Sequence, residues 1–134
     1  MLYHTMSHGP DENAFRSAFV KACQVAKQNS SNEVLFKTHT LDNMSGVPTD
    51  VLGDKLAKEL LKNRKASVNG ITLFFETERT KSQFCEGVIL APFVNDKLLR
   101  NIHADQRGTD SIYIPWAEVE RDDYINSNNS SIVI

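Results

Sequence analysis

The segment from Gly87 to Trp116 constrains the fold more than any other part of this 134-residue chain. It opens with the apolar run Gly87–Phe93 and closes with a second run, Ser111–Trp116. The residues between these runs carry apolar side chains at helical spacing, namely Leu98, Leu99 and Ile102. Two short apolar runs around a helical segment are typical of a strand–helix–strand unit with parallel strands. We therefore predict a βαβ unit over about residues 87–116.

The rest of the chain alternates between helical and strand patterns. The pair Asn69-Gly70 between β-prone residues is a strong hairpin signal, because both positions tolerate positive φ. Gly108 is expected to be the left-handed residue that ends the third helix. The other predicted elements, in chain order, are a helix from Pro10 to Gln28, a strand over 33–40, a helix from Pro48 to Leu61, hairpin strands over 65–68 and 71–77, and a short acidic helix over 117–124.

Together these elements predict a single α/β (or α+β) domain that spans residues 1–134. We expect a mixed sheet of about four to five strands with helices packed on it. Residues 126–134 are predicted to form a flexible polar spacer followed by an apolar C-terminal tail.

Charge and hydropathy limit the classes of binding partner and the cellular location that the sequence favours. The net charge of −2 gives no overall field that would attract nucleic acid or an anionic membrane. No apolar run approaches the roughly 18 residues of a membrane span, and the N-terminus lacks a secretion signal, so we expect a cytoplasmic protein. Cys23 and Cys85 lack the spacing of a metal or redox motif, and the glycines are scattered singly. We therefore expect no metal and no cofactor.

Five residues follow the ends of predicted strands, where ligands gather in parallel sheets. Glu76 and Glu78 lie two apart and so point the same way, and with His39 they could hold a divalent metal for hydrolysis. The simpler interpretation is that Glu76 and Glu78 belong to a solvated strand end. Asp96 and Trp116 are candidates for contact with a small ligand.

A basic segment precedes the predicted hairpin. It carries five basic residues against Glu59, which gives a net charge of +4. A basic helix followed by a β-ribbon can meet a phosphate backbone, although the overall charge of −2 argues against nucleic acid. An ordinary solvated helix face is the simpler interpretation. The candidates for nucleic-acid contact are Lys55, Lys58, Lys62, Arg64 and Lys65.

The chain ends on three apolar, β-prone residues, Ile132, Val133 and Ile134. A free end of this kind would be prone to association, so we expect it to pair with a sheet edge in its own chain or in a partner's. Exchange of such a tail between two copies is a simple route to a homodimer, and these residues are the candidate interface.

The function that these features favour is that of a small soluble binding or interaction protein without catalytic activity, acting as a homodimer. The first alternative is a nucleic-acid-binding module that uses the basic helix and the β-ribbon at residues 55–76. The second alternative is a metal-dependent hydrolase that uses His39, Glu76 and Glu78. Whether the chain is an enzyme stays open, with a non-enzyme favoured.

Overall fold

A computed structural model of the chain describes all residues from Met1 to Ile134. It contains five α-helices, seven β-strands and a short 3₁₀ helix at Leu41–Met44. None of the helices is long and apolar enough to cross a lipid bilayer. In chain order the elements are β1 (Leu2–His4), α1 (Glu12–Gln28), β2 (Glu33–Lys37), α2 (Val47–Leu52), α3 (Asp54–Asn63), β3 (Lys65–Val68), β4 (Ile71–Glu76), β5 (Gly87–Pro92), α4 (Asp96–Ala104), β6 (Gly108–Ile114), α5 (Glu118–Ser127) and β7 (Ile132–Val133).

All seven strands form one sheet in the order β3-β4-β2-β5-β6-β1-β7. Every neighbouring pair is parallel except β3 and β4, which are antiparallel. The α/β class is therefore confirmed, and the sheet is mixed as expected. The estimate of four to five strands was too low, because β1 and β7 are only three and two residues long. Strands of that length are too short to show a repeating hydrophobic pattern.

Helices cover the sheet on both faces, and each face has its own apolar core. Along β2 the side chains alternate, so that Phe36 packs on the α1 side while Leu35 packs on the opposite side. On the first face the core includes Phe15 of α1 and Leu60 of α3. On the second face it is completed by α4 and α5, with Leu98, Leu99, Ile102 and Tyr124. Strands that are covered on both faces become almost entirely hydrophobic, which explains the apolar runs in the sequence.

The predicted βαβ unit is present, since β5 and β6 are parallel neighbours joined through α4. The role expected for Gly108 was wrong, because α4 ends at Ala104 and Gly108 begins β6 without a positive φ. Its small size serves packing instead. A Cβ atom at this position would lie 2.9 Å from Cδ1 of Ile89 on the neighbouring strand.

Two other local predictions have different outcomes. The hairpin is confirmed: Asn69 and Gly70 both have positive φ and connect β3 to β4. The single helix predicted from Pro48 to Leu61 is instead two helices, divided at Gly53. Gly53 has a φ of 90°, which ends α2 and starts α3 in a new direction.

The C-terminal tail pairs with β1 inside the same chain. Tyr3 aligns with Ile132, and the amide of Ile134 donates to the carbonyl of His4 over 2.9 Å. The His4 ring also contacts the residue before β7, because its Nδ1 lies 2.7 Å from Oγ of Ser131. The last two residues of α5 belong to the segment expected to be a spacer, so the connection to β7 is shorter than predicted.

Candidate ligand-binding site

A buried ion pair lies where two central strands end. Lys37 of β2 and Glu76 of β4 are aligned partners on adjacent parallel strands, so their side chains leave the sheet on the same face. The Lys37 ammonium is 3.1 Å from Oε1 of Glu76, and the two side chains are 8% and 0% exposed. The interpretation of a solvated strand end is therefore wrong for Glu76. A charge removed from water in this way needs a partner, and several groups supply it.

Arg107 is the main partner of the Glu76 carboxylate. Its two terminal nitrogens each donate to one oxygen of Glu76 over 2.9 Å. The same guanidinium also binds Asp105 through Nε at 3.0 Å and Nη2 at 2.8 Å. Ser82 adds two donors to Glu76, its backbone amide at 3.0 Å and its hydroxyl at 2.7 Å. The network joins β2, β4, the 77–86 connection and the turn before β6.

The protonation states of this network follow from its contacts. Burial alone would raise the pKa of Glu76, but the hydrogen bonds from Arg107, Ser82 and Lys37 outweigh it and lower the pKa to about 2. The hydrogen bond from Arg107 likewise lowers the pKa of Asp105. Both carboxylates therefore stay ionised at neutral pH.

Lys37 lies at the edge of a cavity of about 350 Å³ between α4 and the 77–86 connection. We call this space the lysine cavity, because Lys81 and Lys97 also line it. Its apolar part comes from Ile89, Leu98 and Ile102, and its other polar lining comes from Glu78, Asn101 and Asp105. The cavity thus combines an apolar floor with charged walls, which is the usual composition of a small-molecule site.

The lining of the lysine cavity carries more positive than negative groups, with three lysines against the two carboxylates of Glu78 and Asp105. Asp105 forms an ion pair with Arg107, and Glu78 contacts the His39 ring. Lys81 and Lys97 form no ion pair. Burial lowers the pKa of Lys37, the hydrogen bond that Lys37 donates to Glu76 raises it, and the Lys81 ammonium lowers it further. Ammonium groups on one lining repel each other, so an anion bound among them would be stabilised.

The three proposed metal ligands do not form a common site. His39 contacts Glu78, with Nδ1 3.5 Å from Oε1, whereas the Glu76 carboxylate is enclosed by Lys37, Ser82 and Arg107. Nε2 of His39 accepts a hydrogen bond from the Asn95 amide at 2.9 Å. No group of three His, Cys, Asp or Glu side chains is arranged to hold a metal ion.

Asp96 and Trp116 lie apart from the lysine cavity. Asp96 begins α4 and pairs with Arg100, one turn later, over 3.1 Å. Trp116 is 51% exposed and packs edge-to-face against Phe93, with ring centroids 5.3 Å apart. Neither side chain lines the lysine cavity, but Asp96 lines a second cavity on the other side of α4.

The basic segment is only partly a free surface. Arg64 has a left-handed backbone, donates to the carbonyl of Leu61 and lies over the Phe75 ring at 5.8 Å. It therefore stabilises the end of α3. The remaining four residues are exposed, namely Lys55, Lys58, Lys62 and Lys65.

Sequence reasoning missed most of the groups around the lysine cavity: Lys37, Lys81, Lys97, Asp105 and Arg107. One signal was available, since Lys37 and Glu76 each follow an apolar run at the end of a strand. In a sheet covered on both faces, such a charge needs a buried partner. Nothing in the local pattern around Arg107 identifies it as that partner.

Comparison with known proteins adds no relatives. No protein-family model, no curated protein and no solved structure matches this chain.

Proposed function

We propose that this protein is a non-catalytic binding protein whose ligand is a small anion held in the lysine cavity. The observation that carries the proposal is that three lysines, Lys37, Lys81 and Lys97, line one cavity. The volume of about 350 Å³ lies in the range of typical small-molecule sites. The apolar floor favours an anion that also carries carbon, such as a carboxylate or an organic phosphate.

The protonation states around the cavity support binding without catalysis. A general acid or base works best when its pKa lies near the working pH. The pKa of Glu76 is lowered to about 2 and that of Asp105 is also lowered, so neither carboxylate exchanges a proton at neutral pH. Lys37 is held by Glu76 rather than free to attack a substrate.

The test is a thermal-unfolding titration of the full chain with inorganic phosphate, pyrophosphate and citrate at constant ionic strength. A ligand at a hundred times its Kd adds about 2.7 kcal/mol to the unfolding free energy, which is easily measured. We expect at least one of the three anions to raise the melting temperature. The double variant Lys81→Gln, Lys97→Gln should lose that shift.

The matched control is the double variant Lys55→Gln, Lys58→Gln, which removes the same charge from exposed positions on α3. It should keep the full shift. If no anion binds more tightly than about 1 mM, or if both double variants lose the shift equally, the proposal is wrong.

A nucleic-acid surface on α3 is the second candidate. The supporting observation is that Lys55, Lys58 and Lys62 are all exposed and form no ion pair with a neighbouring carboxylate. Retention on heparin that disappears in the double variant Lys58→Glu, Lys62→Glu would favour it. A wild-type chain that heparin does not retain would eliminate it.

We also propose that two copies of the chain associate and that the protein is cytoplasmic. The support for association is the exposure of Ile132 (40%) and Val133 (54%) on an edge strand. Light scattering on the wild type and on Val133→Glu measures the oligomeric state. A wild-type chain that is already a monomer would contradict the proposed association.

The support for a reducing compartment is that Cys23 and Cys85 are free thiols.

A further inference from the structure

A second cavity, of about 490 Å³, lies on the other side of α4, between α4 and α5. Two tyrosine rings form its base, Tyr113 of β6 and Tyr124 of α5. Their centroids are 4.8 Å apart and their planes are inclined by 51°. We call this space the tyrosine cavity. It is separate from the lysine cavity, and no residue lines both.

The Tyr113 side chain is almost entirely buried, but its hydroxyl has no hydrogen-bond partner in the protein. The residue as a whole is only 2% exposed. The only side-chain atom that is both sealed from solvent and unpartnered is Oγ of Ser111, so the Tyr113 hydroxyl must reach the open space of the cavity. A ligand in the cavity could form a hydrogen bond with this hydroxyl in place of solvent.

The charged lining of the tyrosine cavity is acidic. Asp96, Glu120 and Asp123 line it, and Arg100 is the one cation fixed in charge. Burial raises the pKa of Tyr113, and the nearby charges of Glu120 and Asp96 raise it further. Negative charge therefore lies close to the unpartnered hydroxyl.

His103 does not balance this charge at neutral pH. Burial lowers the pKa of His103, so its ring is neutral there. Its Nε2 lies 3.4 Å from the Tyr124 hydroxyl, which fixes the ring beside the aromatic base. Arg100 is paired with Asp96 across one helical turn, which leaves Glu120 and Asp123 uncompensated.

We propose that the tyrosine cavity binds a small organic cation, an amine that carries its ammonium charge on an apolar carbon skeleton. Carboxylates pair with ammonium groups and the Tyr113 hydroxyl can accept a hydrogen bond from one, so Tyr113, Glu120 and Asp123 fit this ligand together. A bare metal ion does not fit, because no three of these ligands converge as a metal requires.

The test is calorimetric titration of the full chain with putrescine and with choline, at fixed ionic strength. We expect one of the two to bind and Mg²⁺ at the same concentration not to displace it. Tyr113→Phe keeps the ring and removes only the hydroxyl, so putrescine should bind about three- to tenfold more weakly, as expected for one lost hydrogen bond. The double variant Glu120→Gln, Asp123→Asn should abolish binding of either cation.

The matched control is Glu118→Gln, Asp122→Asn, which removes two carboxylates from the same helix but outside the cavity lining. Gln at position 120 can still accept the hydrogen bond from the Ala117 amide that starts α5, so the helix is retained. Absence of amine binding, displacement by Mg²⁺, or equal loss in the control would each overturn the proposal. Circular dichroism on every variant confirms that the comparison is between folded proteins.

Discussion

Lys37 and Glu76 face each other in register on neighbouring parallel strands, with 3.1 Å between Nζ and Oε1 and almost no access to solvent. Neither strand explains why a charged residue occupies that place. The reason lies in two later segments, because Ser82 and Arg107 both reach the same carboxylate. The pair is the centre of a polar network inside an otherwise apolar layer.

Glu76→Gln should destabilise the fold strongly. The change leaves Lys37 and Arg107 without their shared negative charge, and removing one partner from a buried pair costs about 3–5 kcal/mol. Urea unfolding followed by circular dichroism measures the change, and the exposed Glu59→Gln should stay within about 0.5 kcal/mol of the wild type. If Glu76→Gln does not fold, Ser82→Ala provides the measurement, since it removes the hydroxyl that donates to Glu76 and accepts from the Phe84 amide, a loss of about 2 kcal/mol.

Acid should weaken the protein through Glu76. Its folded-state pKa of about 2 lies below the ordinary value of 4.5, so its contribution to stability is complete above pH 4.5 and is lost as the pH falls towards 2. The contribution is about 3 kcal/mol. Urea midpoints measured between pH 6 and pH 3 should fall steeply for the wild type and less for Glu76→Gln. Equal slopes would show that other carboxylates control the acid response.

Gly87→Ala should be far more damaging than Gly108→Ala, although both glycines begin strands. At Gly87 a Cβ atom would lie 2.2 Å from the backbone oxygen of Glu33, which cannot move without breaking the sheet. At Gly108 the nearest atom is the flexible end of Ile89, at 2.9 Å. We expect a loss of about 3 kcal/mol or more at Gly87 and about 1 kcal/mol at Gly108. Thermal unfolding of the two variants compares them, and similar losses would contradict this account.

The two cysteines should react at different rates with a thiol reagent. Cys85 is exposed, whereas burial raises the pKa of the half-buried Cys23 and reduces its thiolate fraction. Under native conditions Ellman's reagent should modify one thiol quickly and the other slowly. Cys85→Ser should remove the fast phase, and Cys23→Ser should leave it unchanged. A single phase for both thiols would be inconsistent with the packing of α1.

The central architecture could be predicted from the sequence because its strands are long enough to show a pattern. β4 and β5 have six residues each, and their apolar runs are visible without any knowledge of the fold. β1 has three residues and became a strand only because β6 and β7 lie on either side of it. The break at Gly53 was also missed, since the leucines on both sides continue at helical spacing.

The candidate sites were far less predictable, for a physical reason. A charged residue at a strand end is usually solvated, so the apolar run before Glu76 was only a weak sign of its burial. The burial of Glu76 depends on Arg107, which lies 31 residues further along the chain, and on the path of the 77–86 connection. Tyr113 likewise reads as an ordinary core residue. Its unpartnered hydroxyl becomes visible only when α4 and α5 are placed around it.

The position of β1 in the sheet has a consequence for how the protein forms during synthesis. Leu2–His4 pair with Ser111–Tyr113 on one side and with the tail on the other. A growing chain must therefore keep its first strand unpaired until roughly a hundred further residues have left the ribosome. Contacts between such distant segments slow folding, because the loop must close before the contacts form. The short length of β1 then has an advantage. While it is unpaired, a three-residue strand exposes few backbone N–H and C=O groups that could pair with other chains.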